Sequence, residues 1–293
     1  MEVLLVSPFG YCSGVYEALS LAKKAKRENP QADVYLVGCP VHNELAISGL
    51  EKEGLKLLDE RKEDLGKAIL SLPEGSVLVF SAHGHPRLWE EEAAKRGLCF
   101  YDATCPFVKQ NESIGKETSP LIYIGSPAHA EAIAFMANCP HAYFYDASTG
   151  EGDWRNCPTH PRLVSQTTLS EGEIELAERE IKEKYPDAAL LKGRCQATRQ
   201  RQSSIRKAAQ NADAAIILGS KTSNNSRKLQ EIASQFCPSF LCLDLQEVKA
   251  LPLEEYKKIA LASGASTPRE VYFQVRDYLS SLPSSPRMLF KAR

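Results

Sequence analysis

The sequence predicts an α/β protein of three similar units with mainly parallel sheets. Three observations predict it. Short apolar runs alternate with helix-like segments from end to end, as expected of strands that enter parallel sheets through helical crossovers. Each run breaks into a short loop of polar or reactive residues, as at Ser81-Ala82-His83-Gly84 and Asp102-Ala103-Thr104-Cys105-Pro106. Three of these breaks hold a cysteine, Cys12, Cys105 and Cys195, separated by 93 and 90 residues. Near-equal spacing suggests an internal repeat in which each unit donates one cysteine at the carboxyl edge of its sheet. The expected units are 1–105, 106–194 and 195–283, followed by a loose tail, 284–293.

Residues 2–7 read as a buried strand, and Pro8 to Gly14 turn the chain into a helix that runs to about residue 29. Residues 33–38 form the next strand, and Cys39-Pro40-Val41-His42-Asn43-Glu44 opens the next helix. The apolar runs 77–80 and 98–101 each end in a reactive loop followed by a helical segment. Residues 120–125 lead into Ser126-Pro127-Ala128-His129-Ala130-Glu131 and a helix. A strand over 141–146 is followed by a Gly, Pro and polar surface loop at 147–161. Residues 162–166 lead into Thr167-Thr168-Leu169-Ser170-Glu171, where Ser170 suits an N-cap for a helix to about residue 184. Strands at 214–219, 239–244 and 259–263 complete the pattern; the first precedes Ser220 to Ser226, the last precedes Gly264-Ala265-Ser266-Thr267-Pro268 and a final helix to about residue 282.

Composition excludes several classes. The net charge is −1 with Lys and Arg scattered, so no basic footprint for nucleic acid or an anionic membrane is present. No apolar run approaches the roughly 20 residues of a membrane helix. The first residues lack the charged head and long apolar core of a signal peptide, and a cytoplasmic protein is expected. Nine cysteines is a high count for such a chain. In a reducing compartment it favours metal or redox chemistry over disulfides.

Three cysteines directed at one centre suit a soft metal. Structural zinc wants a fourth protein ligand and usually takes its cysteines in close pairs, unlike ligands about 90 residues apart. A cubane iron–sulfur cluster normally takes four thiolates; with three, one iron keeps an open position and becomes a Lewis acid as well as an electron conduit. On spacing alone, a cluster and three structural cysteines both remain open. Cys39, Cys99, Cys139, Cys237 and Cys242 lie in or beside apolar runs and read as core filler. Cys157-x-x-His160 is too sparse for a zinc site, and His85, His141 and His160 read as structural or surface.

The remaining breaks carry His42, His83, His129, Thr167, Ser223, Asn224, Asn225 and Ser266. Singly, each has an ordinary role: Ser223 or Ser266 as a cap, Asn225 as a turn residue. Jointly, helix amino-termini furnished with hydroxyl, amide and imidazole donors make an anion site. Neither a P-loop nor a G-x-G-x-x-G is present, so a small phosphorylated or diphosphorylated ligand fits better than a nucleotide. Glu131, at a helix start near that centre, is a candidate proton donor if burial raises its pKa. A first-turn glutamate that merely complements the helix dipole is the alternative.

The chain resembles the 4-hydroxy-3-methylbut-2-enyl diphosphate reductase family of the non-mevalonate isoprenoid pathway. The resemblance rests on Gly10-Tyr11-Cys12-Ser13-Gly14-Val15, Val41-His42-Asn43, Phe80-Ser81-Ala82-His83-Gly84, Asp102-Ala103-Thr104-Cys105-Pro106, Ser165-Gln166-Thr167-Thr168-Leu169-Ser170, Cys195-x-Ala197-Thr198-x-x-Arg201-Gln202, Gly219-Ser220-Lys221 through Asn225-Ser226, and Gly264-Ala265-Ser266, in order from residue 1 to about 282. It implies three α/β domains in pseudo-threefold arrangement around a 4Fe–4S cluster held by Cys12, Cys105 and Cys195, which degrades to 3Fe–4S when the open iron is lost. It implies a diphosphate held by His42, His83 and His129 and by Ser223, Asn224, Asn225 and Ser266. Glu131 is then the proton donor and Thr167 the partner of the substrate hydroxyl. The implied reaction is a two-electron reductive dehydration to isopentenyl or dimethylallyl diphosphate, with ferredoxin or flavodoxin as electron donor.

Four places depart from the family pattern. His-Pro-Glu is His129-Ala130-Glu131, Ser-Ser-Asn is Ser223-Asn224-Asn225, and Ala-Gly-Ala-Ser is Ser263-Gly264-Ala265-Ser266. The arginine before the first Gly-Phe-Cys is Phe9, with Tyr11 in place of the Phe. Alternatives are a paralogue with the same cluster and another substrate, a non-catalytic iron–sulfur sensor, and a structural zinc protein.

Overall fold

The computed structural model describes residues 1–191 and 195–283. The expected tail, 284–293, lies outside them. From the amino terminus come β1 (Glu2–Leu5), α1 (Ser13–Glu28), β2 (Val34–Val37), α2 (Glu44–Lys52), β3 (Leu55–Leu58), α3 (Leu65–Ser71), β4 (Val77–Phe80), α4 (Arg87–Lys95) and β5 (Cys99–Asp102). The middle of the chain holds α5 (Pro106–Glu117), β6 (Leu121–Gly125), α6 (Ala130–Asn138), β7 (Tyr143–Asp146), β8 (Arg162–Ser165), α7 (Glu171–Lys184) and β9 (Ala189–Leu190). Then follow α8 (Gln196–Ala209), β10 (Ala214–Leu218), α9 (Asn224–Ser234), β11 (Ser239–Cys242), α10 (Leu245–Lys249), β12 (Lys258–Ser263) and α11 (Arg269–Ser281).

Among the described residues the strands form three four-stranded sheets, ordered β3-β2-β4-β5, β7-β6-β8-β9 and β11-β10-β12-β1, and every pairing is parallel. Central strands of such sheets are covered on both faces and read as unbroken apolar runs; β4, β6 and β10 are buried at every residue. Counted within its own sheet, the order of the first two is second, first, third, fourth, and the last repeats it with β1 in the fourth place. The reversal between first and third strands is the point where ligands bind in open α/β sheets.

The fourth place explains the cysteine spacing. β5 leads to Cys105, β9 leads to Cys195, and in the last sheet the fourth place is taken by β1, which leads to Cys12. Residues 2–5 pair with residues 258–261. The expected unit 1–105 therefore gives up its first strand to the sheet of the last third, a long-range pairing that periodicity within the strand cannot reveal. By contacts the chain forms two compact units, residues 1–11 with 200 onward, and residues 12–199. The second unit holds two of the sheets.

Within residues 12–199, α1 lies against β2, β4 and β5, and α5 lies against β8 and α6. The expected loop 147–161 contains a short 3-10 turn, Asp153–Asn156, and buries Trp154 against Ile122, Ile124 and Leu163. Of the cysteines expected as filler, Cys39, Cys139, Cys237 and Cys242 are buried, but Cys99 is exposed because β5 is an edge strand with its first two residues open to solvent. No helix among the described residues is long and apolar enough to cross a membrane.

Candidate active site

In the unit of residues 12–199 the loops at the reversal points follow β2, β4, β6 and β8, and they carry His42, His83, His129 and Thr167. Local capping fixes them. Asn43, after His42, is the N-cap of α2 and accepts from the backbone N–H groups of Leu45 and Ala46. His129 is the N-cap of α6, its Nδ1 accepting from the Glu131 N–H at 3.2 Å, which places the proton of the neutral ring on Nε2. The three imidazoles meet. His42 stacks on His83 with ring centroids 4.3 Å apart, and His129 stands edge-on to both at 5.7 and 5.5 Å. Burial, then the His42 and His129 rings, hold His83 well below the usual imidazole range. An arriving anion reverses that balance and favours the charged form.

Glu131 is 2% exposed. Its Oε1 accepts from the Thr167 backbone N–H at 2.8 Å and its Oε2 from the Thr167 hydroxyl at 2.7 Å. Burial pushes its pKa up to about 7, and the hydrogen bonds from Thr167 oppose the rise. Such a carboxyl carries a proton near neutrality and can release it, which a surface glutamate cannot do. The site has an acid one turn from an imidazole cluster.

Cys12, Cys105 and Cys195 are all partly exposed, and none is in a disulfide. Cys12 is the N-cap of α1, with Sγ 3.5 Å from the Val15 N–H. Cys105 caps α5 with Pro106 in the first helical position and no side-chain bond of its own. Burial pushes the Cys105 thiol up to about 11, and both Cys12 and Cys195 act on it electrostatically. The three thiols lie near enough to act on one another. Among the described residues the set of three donors within 4.8 Å of one another is Cys39, Asp59 and Glu60. As a donor set, three soft thiols near one another suit a soft metal or an iron–sulfur centre.

Gly14 lets α1 approach Cys105, since a Cβ there would sit 2.6 Å from its Sγ. Gly14→Ala is therefore expected to overpack the contact with Cys105 by about 1–3 kcal/mol and to weaken the hold of these cysteines on any iron–sulfur centre roughly tenfold. Iron and sulfide per chain after anaerobic reconstitution checks this, with circular dichroism showing α1 intact.

In the unit containing β10 and β12, the reversal-point loops bear Ser223, Asn224, Asn225 and Ser266, all buried. Ser223 caps α9 and accepts from the Ser226 N–H. Asn225 Oδ1 accepts from the Ala265 N–H at 3.0 Å, tying the loop after β12 to the start of α9, and its buried Nδ2 has no protein partner. Gly219 and Gly264 leave room for Ser226, whose side chain a Cβ at either would strike. Backbone N–H groups, an amide donor and hydroxyls at a helix amino-terminus form an anion cradle.

A family model described as LytB protein matches residues 3–280. The chain belongs to the LytB protein family. Its relatives include the 4-hydroxy-3-methylbut-2-enyl diphosphate reductases of Anoxybacillus flavithermus, 30% identical over 98% of this chain and 93% of the relative, and of Burkholderia pseudomallei, 32% identical over 96% and 89%. A solved structure of the E-1-hydroxy-2-methyl-but-2-enyl-4-diphosphate reductase of Plasmodium falciparum superposes with a TM-score of 0.83 at 29% identity, covering 97% of this chain and 89% of that one. A structure of (E)-4-hydroxy-3-methyl-but-2-enyl diphosphate reductase, titled the terminal enzyme of the non-mevalonate pathway, gives 0.66 at 26% identity, covering 96% and 100%.

The departures of this LytB chain have local structural partners. Phe9 stacks on Tyr272 at 4.3 Å and 3° and meets Phe273 edge-on. Ser263 accepts from the Gly10 N–H at 2.9 Å. Ala130 is the first residue of α6, where proline is favoured but not required. Asn224 opens α9, and its Oδ1 accepts from Arg227 one turn on. The histidines left aside are structural: His85 stacks on Phe80 and pairs with Glu90, His141 bonds the Gly115 carbonyl, and exposed His160 pairs with Asp187.

Some site residues escaped sequence reasoning. Gln166 accepts from the Ser126 N–H and donates to Thr168, and Asn111 on α5 donates to the Ser165 carbonyl; together they hold the loop that carries Thr167. Tyr123, fully buried, lies inside the apolar strand β6. Its one signal was a hydroxyl in a run otherwise free of polar side chains, which a buried tyrosine must satisfy.

Proposed function

We propose that this chain is a 4-hydroxy-3-methylbut-2-enyl diphosphate reductase, removing the substrate hydroxyl as water with two electrons and two protons to give isopentenyl and dimethylallyl diphosphate. The observation that carries the proposal is the buried Glu131 carboxyl, clasped by Thr167 and poised near neutrality beside three imidazoles, in a chain that matches the LytB family over residues 3–280. The family is one of iron–sulfur enzymes. We assign Cys12, Cys105 and Cys195 as the ligands of a 4Fe–4S cluster with one iron left open, which when bound supplies the electrons and a Lewis acid for the leaving hydroxyl.

The remaining roles belong to the chain's own residues. His42, His83 and His129, together with Ser223, Asn224, Asn225 and Ser266, offer donors to the diphosphate, and gripping both phosphates fixes the distal hydroxyl in place. Thr167 orients that hydroxyl and the Glu131 carboxyl together. Hydroxide leaves poorly, and a proton from Glu131 converts it to water. The electron donor fits a small iron–sulfur or flavin protein such as ferredoxin or flavodoxin.

Purified chain reconstituted anaerobically and given a reduced viologen dye is expected to consume the hydroxylated diphosphate and to form both five-carbon diphosphates, measured by dye oxidation and product chromatography. An intact visible spectrum with no turnover would reassign the chain to a paralogue with another substrate.

A further inference from the structure

β6 is buried at every residue, and Tyr123 on it is 0% exposed. A phenylalanine would fill such a place without bringing a hydroxyl out of water. The ring is fixed. It stacks on Phe135 at 4.2 Å and 23°, and Phe135 lies one turn along α6 from Glu131. Two glycines make space for the pair: a Cβ on Gly125 would sit 2.6 Å from Tyr123 Cε1, and one on Gly115 would sit 2.6 Å from Phe135 Cζ. The phenol oxygen is sealed from solvent and makes no well-directed hydrogen bond. Among the described residues, the charged group close enough to act on it is the Glu131 carboxyl.

We infer that Tyr123 is a positioning residue for Glu131, its buried phenol held where it can donate to the carboxylate that remains once the carboxyl has given up its proton. This deepens the assignment of Glu131 as proton donor and rests on it. In the structure Thr167 alone makes close contacts with both carboxyl oxygens. Once the charge appears, a third donor is at hand, and bonds to the charged form strengthen an acid. Catalytic hydrogen bonds are commonly loose before the charge develops, which accounts for a phenol beside the carboxyl but poorly aligned to it. From the elements packed around Glu131, the other titratable groups are His129 on the cap, with His42 and His83 stacked beyond it, and Glu112 and Lys116 of α5, which pair with each other.

Tyr123→Phe keeps the stacked ring and removes only the hydroxyl. Infrared titration of the protonated Glu131 carboxyl band, assigned by its absence in Glu131→Gln, should show this carboxyl titrating about one to two pH units higher in Tyr123→Phe. The alkaline fall of kcat should move with it while KM stays unchanged. Phe135→Leu, which disturbs the ring stack and keeps the phenol, is the packing control. An unchanged carboxyl titration in Tyr123→Phe, or an equal shift in Phe135→Leu, overturns the inference. The infrared measurement needs no substrate: a shifted titration in a chain inert toward the diphosphate upholds Tyr123 and overturns the substrate assignment instead.

Discussion

Cys105→Ala is expected to abolish both the visible absorption of the reconstituted protein and its turnover, with the rate down at least about a thousandfold, the several kcal/mol that a Lewis-acid metal centre contributes. Cys105 is the cleanest of the three cysteines to test. Its side chain makes no capping bond to α5, whose start is secured by Pro106, so alanine leaves the helix intact. Cys12, by contrast, bonds the Val15 N–H, and its loss would also weaken α1. The thiol is costly to ionise where it stands, raised to about 11 by burial and by Cys12 and Cys195. A metal centre ligated by all three would make such mutually repelling thiolates tolerable there. Iron and sulfide analysis of the variant, beside its thermal midpoint, checks the prediction. Normal iron content in Cys105→Ala would remove this cysteine from the ligand set, and zinc without sulfide in the native protein would replace the cluster with a structural ion.

Much of this site was legible in the sequence, because each reactive residue sits where an apolar run stops. Buried central strands such as residues 77–80 and 214–218 admit no polar side chain, so a sharp change to His83 or to Ser220 marks the carboxyl end of a strand, the edge where parallel sheets bind ligands. The near-equal spacing of Cys12, Cys105 and Cys195 likewise reported one structural position, the exit from the fourth strand of each sheet. What stayed hidden depended on long-range pairing. That β1 completes the last sheet follows from its register with β12, and nothing in Glu-Val-Leu-Leu distinguishes a strand that pairs with its sequence neighbours from one that pairs with residues 258–261. The short β9 and the buried turn around Trp154 are set by packing against the sheet of residues 121–165, not by periodicity. Glu131 shows the same division: position and residue type marked it as a candidate, but only the fold supplies the burial and the Thr167 clasp that separate an acid from an ordinary first-turn glutamate.

Glu131→Gln puts that distinction to the test, and it is expected to lower kcat by about 10²–10⁴ with iron content and KM near those of the native chain. The carboxamide keeps the size of the side chain and an oxygen for the Thr167 N–H, but it has no proton to give. The pH dependence follows from the same group. Burial raises its pKa from the usual 4.5 to about 7, so the donor form is full well below pH 7 and falls tenfold per unit above it, and kcat of the native chain should decline with it. Stability has the same sign. A folded-state pKa above the unfolded one means that the group's contribution is complete below about pH 4.5 and is lost as the pH rises through about 7, amounting to about 3 kcal/mol by pH 8. Denaturant titrations between pH 5 and pH 8 should show that loss in the native chain and its absence in Glu131→Gln. The two measurements separate roles that activity alone would merge. A variant that loses the stability slope yet keeps full turnover would leave Glu131 buried and titrating as described while denying it any part in proton transfer, and the proton would then have to come from another group.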